Sequence, residues 1–216
     1  MPFYRDWTKG EEPRLSREET IERLRAAIKY VFVIFNENES FDHYFGTFPG
    51  ANGIYSDGGR PRAPMNTPGF TQTYKNLVSG EPVTVEPFLI GPNENANAVD
   101  SVDHRHEGLT RKLHVSGNAA AMDQFALDEY TRFALRDDAA KEAKGTQYAR
   151  LVMSHVDCDT IPFLWQYASR FILFDNIFAT QNTGSAANAI ALIAGQSGET
   201  QWVKHGPNGQ IGRAHV

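Results

Sequence analysis

At 216 residues the chain is long enough to bury a core as one domain, and 41% hydrophobic with 22% charged residues is an ordinary globular composition that excludes disorder as the default. A net charge of -5, with Lys and Arg scattered along the chain, excludes an extended phosphate-binding surface for nucleic acid. The single cysteine, Cys158, permits neither an intrachain disulfide nor a cysteine-rich zinc site and reads as a small buried hydrophobe.

No stretch approaches the roughly 20 apolar residues that span a bilayer. The charged opening segment MPFYRDWTKGEEPRLSREET also lacks the apolar core of about 7–15 residues that marks a secretion signal, so no export signal is read in it.

In chain order, Ser16-Arg17-Glu18-Glu19 fits a capping box and opens a helix with Ile21, Leu24 and Ile28 on one face. Tyr30-Val31-Phe32-Val33-Ile34-Phe35 is apolar at every position, the pattern of a strand buried on both faces in a parallel α/β sheet. It stops at the polar cluster 36–40, where Ser40 caps a short helix through Phe45. Residues 47–100 carry FPGANG, SDGGRP, NTPGF and GPNENAN and read as long loops with short strands such as Pro82–Ile90. Apolar positions at helical spacing predict a helix from about Met122 to Ala143, and Pro162 in the first turn predicts another from Ile161 to Arg170. Phe171-Ile172-Leu173-Phe174 is a second strand candidate, followed by a small-residue helix near Ala186–Ala194. Strand, polar turn and helix thus recur, which favours an α/β fold.

Three places carry chemistry. Open α/β sheets bind ligands beyond the carboxyl ends of their strands. Glu37 and Asn38 at such an end are hard oxygen donors for a divalent cation, or else cap the next helix and line a solvated turn. In Asn182-Thr183-Gly184-Ser185-Ala186-Ala187-Asn188, the Ser185 hydroxyl at a helix start is either an attacking alkoxide in a field of unpaired N–H groups or only an N-cap. The stretch Asp103-His104-Arg105-His106 offers a proton donor or a metal ligand in His104; His106 and His114 read as surface histidines, and His155 and Asp157 as helix-end and turn residues.

YVFVIFNENESFDHYFG resembles the signature of the bacterial phosphoesterase family that contains phosphatidylcholine-type phospholipases C and a group of acid phosphatases, an apolar strand followed by Glu-Asn-Arg-Ser-Phe-Asp-His-Tyr-Phe-Gly. Asp103-His104, Met122-Asp123-x-Phe125, Asp159-Thr160-Ile161-Pro162-Phe163, Phe174-Asp175-Asn176 and Ser185-x-x-Asn188 follow in the family's order, so the resemblance runs from about Ile28 to Gly195. It implies an alkaline-phosphatase-like α/β fold, a mainly parallel sheet flanked by helices, and metal-assisted hydrolysis of phosphate esters, phospholipids included. By the same resemblance Glu37, Asn38 and Ser185 hold a divalent metal ion, and Ser185 is the nucleophile. Asn188 and His104 match residues that hold the phosphoryl oxygens or assist the leaving group.

The chain departs from that pattern in three ways. Glu39 stands where the family has Arg, and Gly184 and Ala187 stand where the nucleophile loop has prolines, which would pre-organise the turn. Family members also continue for about as long again, supplying the Asp and His residues that complete the metal site, so an incomplete, C-terminally truncated domain is expected. Ile211-Gly212-Arg213-Ala214-His215-Val216 matches one reading frame of a common sequencing adapter, so native sequence is expected over residues 1–210 and an adapter-derived tail over 211–216. The reading is a phosphoric ester hydrolase or its N-terminal part, with a non-catalytic module of the same fold as the alternative.

Overall fold

Ser16 opens the first helix as its spacing predicts: its hydroxyl accepts the Glu19 N–H at 3.2 Å while Glu19 Oε2 accepts the Ser16 N–H at 2.9 Å. In the computed structural model, which describes residues 15–36, 39–63 and 67–196, this helix is α1 (Arg17–Ala27). None of its residues is buried, and the face bearing Ile21, Leu24 and Ile28 lies open. Ser40 caps α2 (Phe41–Phe45), as expected, by accepting the His43 N–H. The predicted tail at 211–216 lies outside the described residues.

The core forms between a hairpin and two helices. Strands β3 (Gln72–Lys75) and β4 (Pro82–Val85) pair antiparallel, with Gln72 opposite Val85. Their inward residues Tyr74 and Val85 pack on Ala126 and Tyr130 of α4 (Phe125–Thr131) and Ala149 of α5 (Ala139–Leu151). The Tyr74 and Tyr130 rings stack at 4.3 Å, and the Tyr130 hydroxyl accepts the Leu77 N–H at 2.7 Å, so a ring that fills the core also satisfies a loop amide. Helix α4 has no cap of its own. Fully buried Gln72 supplies one from the hairpin: its Oε1 accepts the Phe125 and Ala126 N–H groups, while its Nε2 donates to the Gly69 and Met122 carbonyls.

Where a single helix over 122–143 is predicted, there are two. The side chain of Asp138 accepts the Lys141 N–H at 3.0 Å and starts α5 afresh, so a local cap overrides continuous helical spacing. The chain between them folds α5 back onto α4, closely enough that a Cβ on Gly145 would lie 2.8 Å from the Tyr130 carbonyl oxygen.

The two predicted strands are corrected. Residues 30–35 adopt no strand and stand exposed, from 51% at Phe35 to 89% at Phe32; Phe171, Ile172 and Phe174 are likewise exposed coil. A strand exists only as a member of a ladder, and among the described residues none pairs with either run. The expected mainly parallel sheet is replaced, among the described residues, by four two-stranded ladders. Three are antiparallel: β1 (Ser56–Asp57) with β2 (Arg60–Pro61), β3 with β4, and β6 (Val115–Ser116) with β7 (Ala119–Ala120). Only β5 (Phe88–Leu89) and β8 (Ser154–His155) run parallel. Helix and strand are nonetheless mixed along the chain, as in an α/β class.

The remaining α-helices among the described residues are α3 (His106–Leu113), α6 (Pro162–Arg170) and α7 (Ser185–Ala194), the last two where their sequence patterns place them. Among the described residues no helix is long and apolar enough to cross a membrane.

Two expectations follow. Gly145→Ala should destabilise the chain by about 1–3 kcal/mol through overpacking, outweighing the helix-propensity gain of about 1 kcal/mol, read as a lowered urea midpoint with unchanged slope. The exposed run 30–35 should bind a hydrophobic dye and promote self-association, and Phe32→Glu with Ile34→Glu should reduce both in fluorescence titration and sedimentation velocity.

Candidate active site

Helix α7 begins at Ser185, with Gly184 as its N-cap. Glycine offers no side chain to the unpaired amides of the first turn, so that turn keeps its N–H groups and positive dipole end for something else. Ser185 is therefore the first helical residue and not the N-cap, and its hydroxyl makes no hydrogen bond to a described residue. The turn before it is held by Asn188, whose Nδ2 donates to the carbonyls of Gln181, Thr183 and Gly184 at 3.1, 3.2 and 3.1 Å while its Oδ1 accepts the Gln181 N–H at 3.0 Å. The amide is thus spent on the loop that presents Ser185; in this arrangement its donors are turned to the backbone, not to the cavity.

His104 lies against the same turn. A Cβ on Gly184 would meet His104 Cδ2 at 3.3 Å and Nε2 at 3.9 Å, so a side chain there would press the imidazole back by a few tenths of an ångström. His104 Nδ1 is 3.1 Å from the Val102 carbonyl. A carbonyl only accepts, so Nδ1 carries the hydrogen and Nε2 of the neutral ring keeps its lone pair. His106, expected to be a surface histidine, is exposed but has a structural role: its Nδ1 meets the Asn182 carbonyl at 2.6 Å and joins the start of α3 to the turn before α7.

Ser185, Asn188 and His104 line one cavity of about 860 Å³ together with Glu39, Ser40 and His43. Glu37 and Asn38 lie outside the described residues, but their neighbours Asn36 and Glu39 both line this cavity. His43 docks α2 onto β8: its Nδ1 donates to the Ser154 carbonyl at 2.9 Å and its own carbonyl accepts the Val156 N–H at 2.8 Å. Its buried Nε2 has no hydrogen bond and faces Glu39 Oε2 at 3.8 Å. His43 falls within the signature at 30–46, but its docking role depends on Ser154 and Val156, far along the chain, so no local pattern shows it.

Behind His104 lies a charged network that no sequence pattern announces. The Asp103 carboxylate takes the Arg105 guanidinium at 2.9 Å on each oxygen and the Arg105 N–H at 3.1 Å, which holds its carboxyl well below the usual range. Gly108 makes room for it, since a Cβ there would lie 2.6 Å from Asp103 Oδ2. The Asp103 N–H donates to Glu129 Oε1 at 2.7 Å, its carbonyl accepts from Lys112 Nζ, and Lys112 pairs with Glu129 at 2.5 Å.

His155 and Asp157 form no metal-binding group with a third residue among those described. His155 is buried in β8, and burial, reinforced by nearby His43, pushes its imidazole down. Cys158 is half-buried, and burial with the flanking Asp157 and Asp159 pushes its thiol up, away from a reactive thiolate.

A hydroxyl at the first position of a helix, an imidazole with a bare Nε2 packed on the residue before it and a shared cavity define, as a class, a candidate nucleophile–base site on a mixed α/β chain. The chain belongs to the phosphoesterase family, whose model matches residues 28–215. It is 25% identical over 192 residues to phospholipase C A of Mycobacterium tuberculosis strains CDC 1551 / Oshkosh and H37Rv, an alignment covering 83% of this chain and 32% of the relative. The chain therefore spans about a third of the length of these relatives. No solved structure matches it.

Asp103 gives this region a signed pH dependence. Because the folded carboxyl titrates well below the usual 3.8, the unfolded chain takes up the proton first as pH falls. Asp103 thus contributes stability that is full above about pH 5 and is lost progressively below about pH 4. Asp103→Asn should lower stability at pH 7 by about 1–3 kcal/mol and flatten the decline below pH 4, measured by urea unfolding across a pH series.

Proposed function

We propose that this chain is the N-terminal part of a metal-dependent phosphoric ester hydrolase with an alkaline-phosphatase-like fold, acting on phosphomonoesters or on phospholipid-type diesters. The observation that carries the reading is the junction at Gly184, where an uncapped helix start, the free hydroxyl of Ser185 and the imidazole of His104 share one cavity. Family membership and the phospholipase C relatives support the substrate class.

In this reading Ser185 Oγ attacks phosphorus in line as its proton passes to His104 Nε2. The Ser–O–P bond forms, the bond from phosphorus to the alcohol oxygen breaks, and His104 gives its proton to the departing alcohol. Water then hydrolyses the phosphoserine, releasing phosphate, or a phosphomonoester when the substrate is a diester, and restoring the hydroxyl. The amides of the first turn of α7 face the charge that builds on the phosphoryl oxygens. Asn188 keeps the turn in shape, and any direct contact with a phosphoryl oxygen would require it to release a backbone carbonyl.

Glu37, Asn38 and Ser185 are the residues assigned to the divalent cation. The described residues do not by themselves fit it: no group of three or more His, Cys, Asp or Glu is arranged to hold a metal, and Ser185 is one donor where hard cations take about six or more.

A second reading is a module of the same fold that binds a phosphorylated ligand without turnover. Glu39 favours it, because a carboxylate on the cavity wall repels an anionic ester. Hydrolysis of a chromogenic phosphomonoester and of a phosphocholine ester, each with added divalent metals, separates the two. Ser185→Ala should lower kcat/KM by about a thousandfold or more. Equal rates in wild type and Ser185→Ala remove the catalytic reading, and saturable phosphate binding in both would then favour the module.

A further inference from the structure

We infer that the buried pair Lys112–Glu129 is a positioning device for His104, clamping the backbone of the preceding residue so that the imidazole presents Nε2 to Ser185. The inference deepens the proposed role of His104 and rests on that reading for its catalytic meaning, though not for its geometry.

Lys112 is 1% exposed and Glu129 not at all. Removing two charges from water costs several kcal/mol per ion, and well-packed apolar residues often serve stability as well or better. What apolar residues cannot do is grip a peptide unit. Glu129 Oε1 accepts the Asp103 N–H, and Lys112 Nζ donates to the Asp103 carbonyl, so the two polar groups flanking one Cα are fixed by two side chains already locked to each other. The carbonyl of Asp103 belongs to the peptide bond that leads into His104. Holding that peptide plane fixes where the His104 ring begins, and the Val102 carbonyl then selects the Nδ1–H form.

The pair is itself anchored. Arg132 donates to the second Glu129 oxygen, and Arg111 pairs with Asp128 at 2.5 Å beside it. Two helices, α3 through Lys112 and α4 through Glu129, therefore transmit the rigidity of the core to a loop residue in the cavity.

The test uses the full chain labelled with ¹⁵N-histidine. His104 is assigned by the signal missing in His104→Gln, and its tautomer is read by long-range ¹H–¹⁵N correlation at alkaline pH. The wild type should show the Nδ1–H form. Lys112→Met/Glu129→Leu removes both charges together and leaves no lone buried ion; in it His104 should shift toward the Nε2–H form that free histidine favours. Should that variant fail to fold by circular dichroism, Glu129→Gln, which keeps volume and an acceptor, should show a minor Nε2–H population. An unchanged Nδ1–H spectrum in whichever of the two variants folds overturns the inference. In the hydrolysis assay, kcat should fall about tenfold or more with KM altered by about twofold at most, the pattern of a misaligned acid–base group. A wild type no faster than Ser185→Ala would sink the hydrolase reading and leave the tautomer result to decide the clamp.

Discussion

Glu129 accepts three hydrogen bonds in a place no water reaches, and the fold between residues 103 and 132 is arranged around that fact. An ionised carboxylate survives burial only when its lone pairs are filled and its charge is met. Lys112 and Arg132 meet the charge, and the Asp103 N–H fills the remaining position. Satisfying Glu129 thereby ties together three separate pieces of chain: the last turn of α3, the end of α4 and the loop before α3. None can shift alone without breaking a hydrogen bond to a buried carboxylate. That is a stricter constraint than apolar packing, which tolerates small slides.

Close backbone approach extends the constraint outward. Asp103 reaches α3 because Gly108 has no Cβ, and α5 reaches α4 because Gly145 has none. Gln72 then ties the hairpin to the start of α4 and the residue Met122 before it with three hydrogen bonds from one buried amide, which also bonds its own segment at Gly69. The hairpin, α4, α5 and α3 form one frame, and His104 stands at its edge, one residue from the charge network. The imidazole is presented by the core, not by a mobile loop.

What the sequence made legible divides along the same physical line. The caps at Ser16 and Ser40, and the helices at 162–170 and 185–194, depend on residues within a few positions of one another, and each appears where the pattern puts it. The runs 30–35 and 171–174 carry strand-like composition, but a strand needs a partner whose position no local pattern encodes, and both stand unpaired. The break before α5 was written in Asp138, a cap hidden within helical spacing. At the site, the spacing from Ser185 to Asn188 and the pair Asp103-His104 were visible as motifs. The work of Asn188 as a staple, of His106 as a bridge and of Lys112–Glu129 as a clamp was not, because each depends on contacts made by the folded chain and not on a spacing motif.

The two sides of the cavity are consequently held in different ways. His104 inherits the rigidity of a buried frame. Ser185 follows a coil, 171–184, most of whose apolar residues are exposed and whose attachments among the described residues include the Asn52 N–H to Asp175 at 2.8 Å, Asn52 Nδ2 to Asn176 at 3.2 Å, His106 to Asn182, and the local bonds of Asn188. Glu39 likewise follows the exposed run 30–35. In the proposed reading, Ser185 and His104 must hold their geometry to within about half an ångström to react efficiently. With one partner fixed and the other tethered by a handful of hydrogen bonds, the precision of the pair is set by the weaker tether. The absent prolines at 184 and 187 belong to the same account, since they would have stiffened the turn that Asn188 and His106 now hold. Anything that pairs with the runs at 30–35 and 171–174 would act directly on the side of the site that is least fixed.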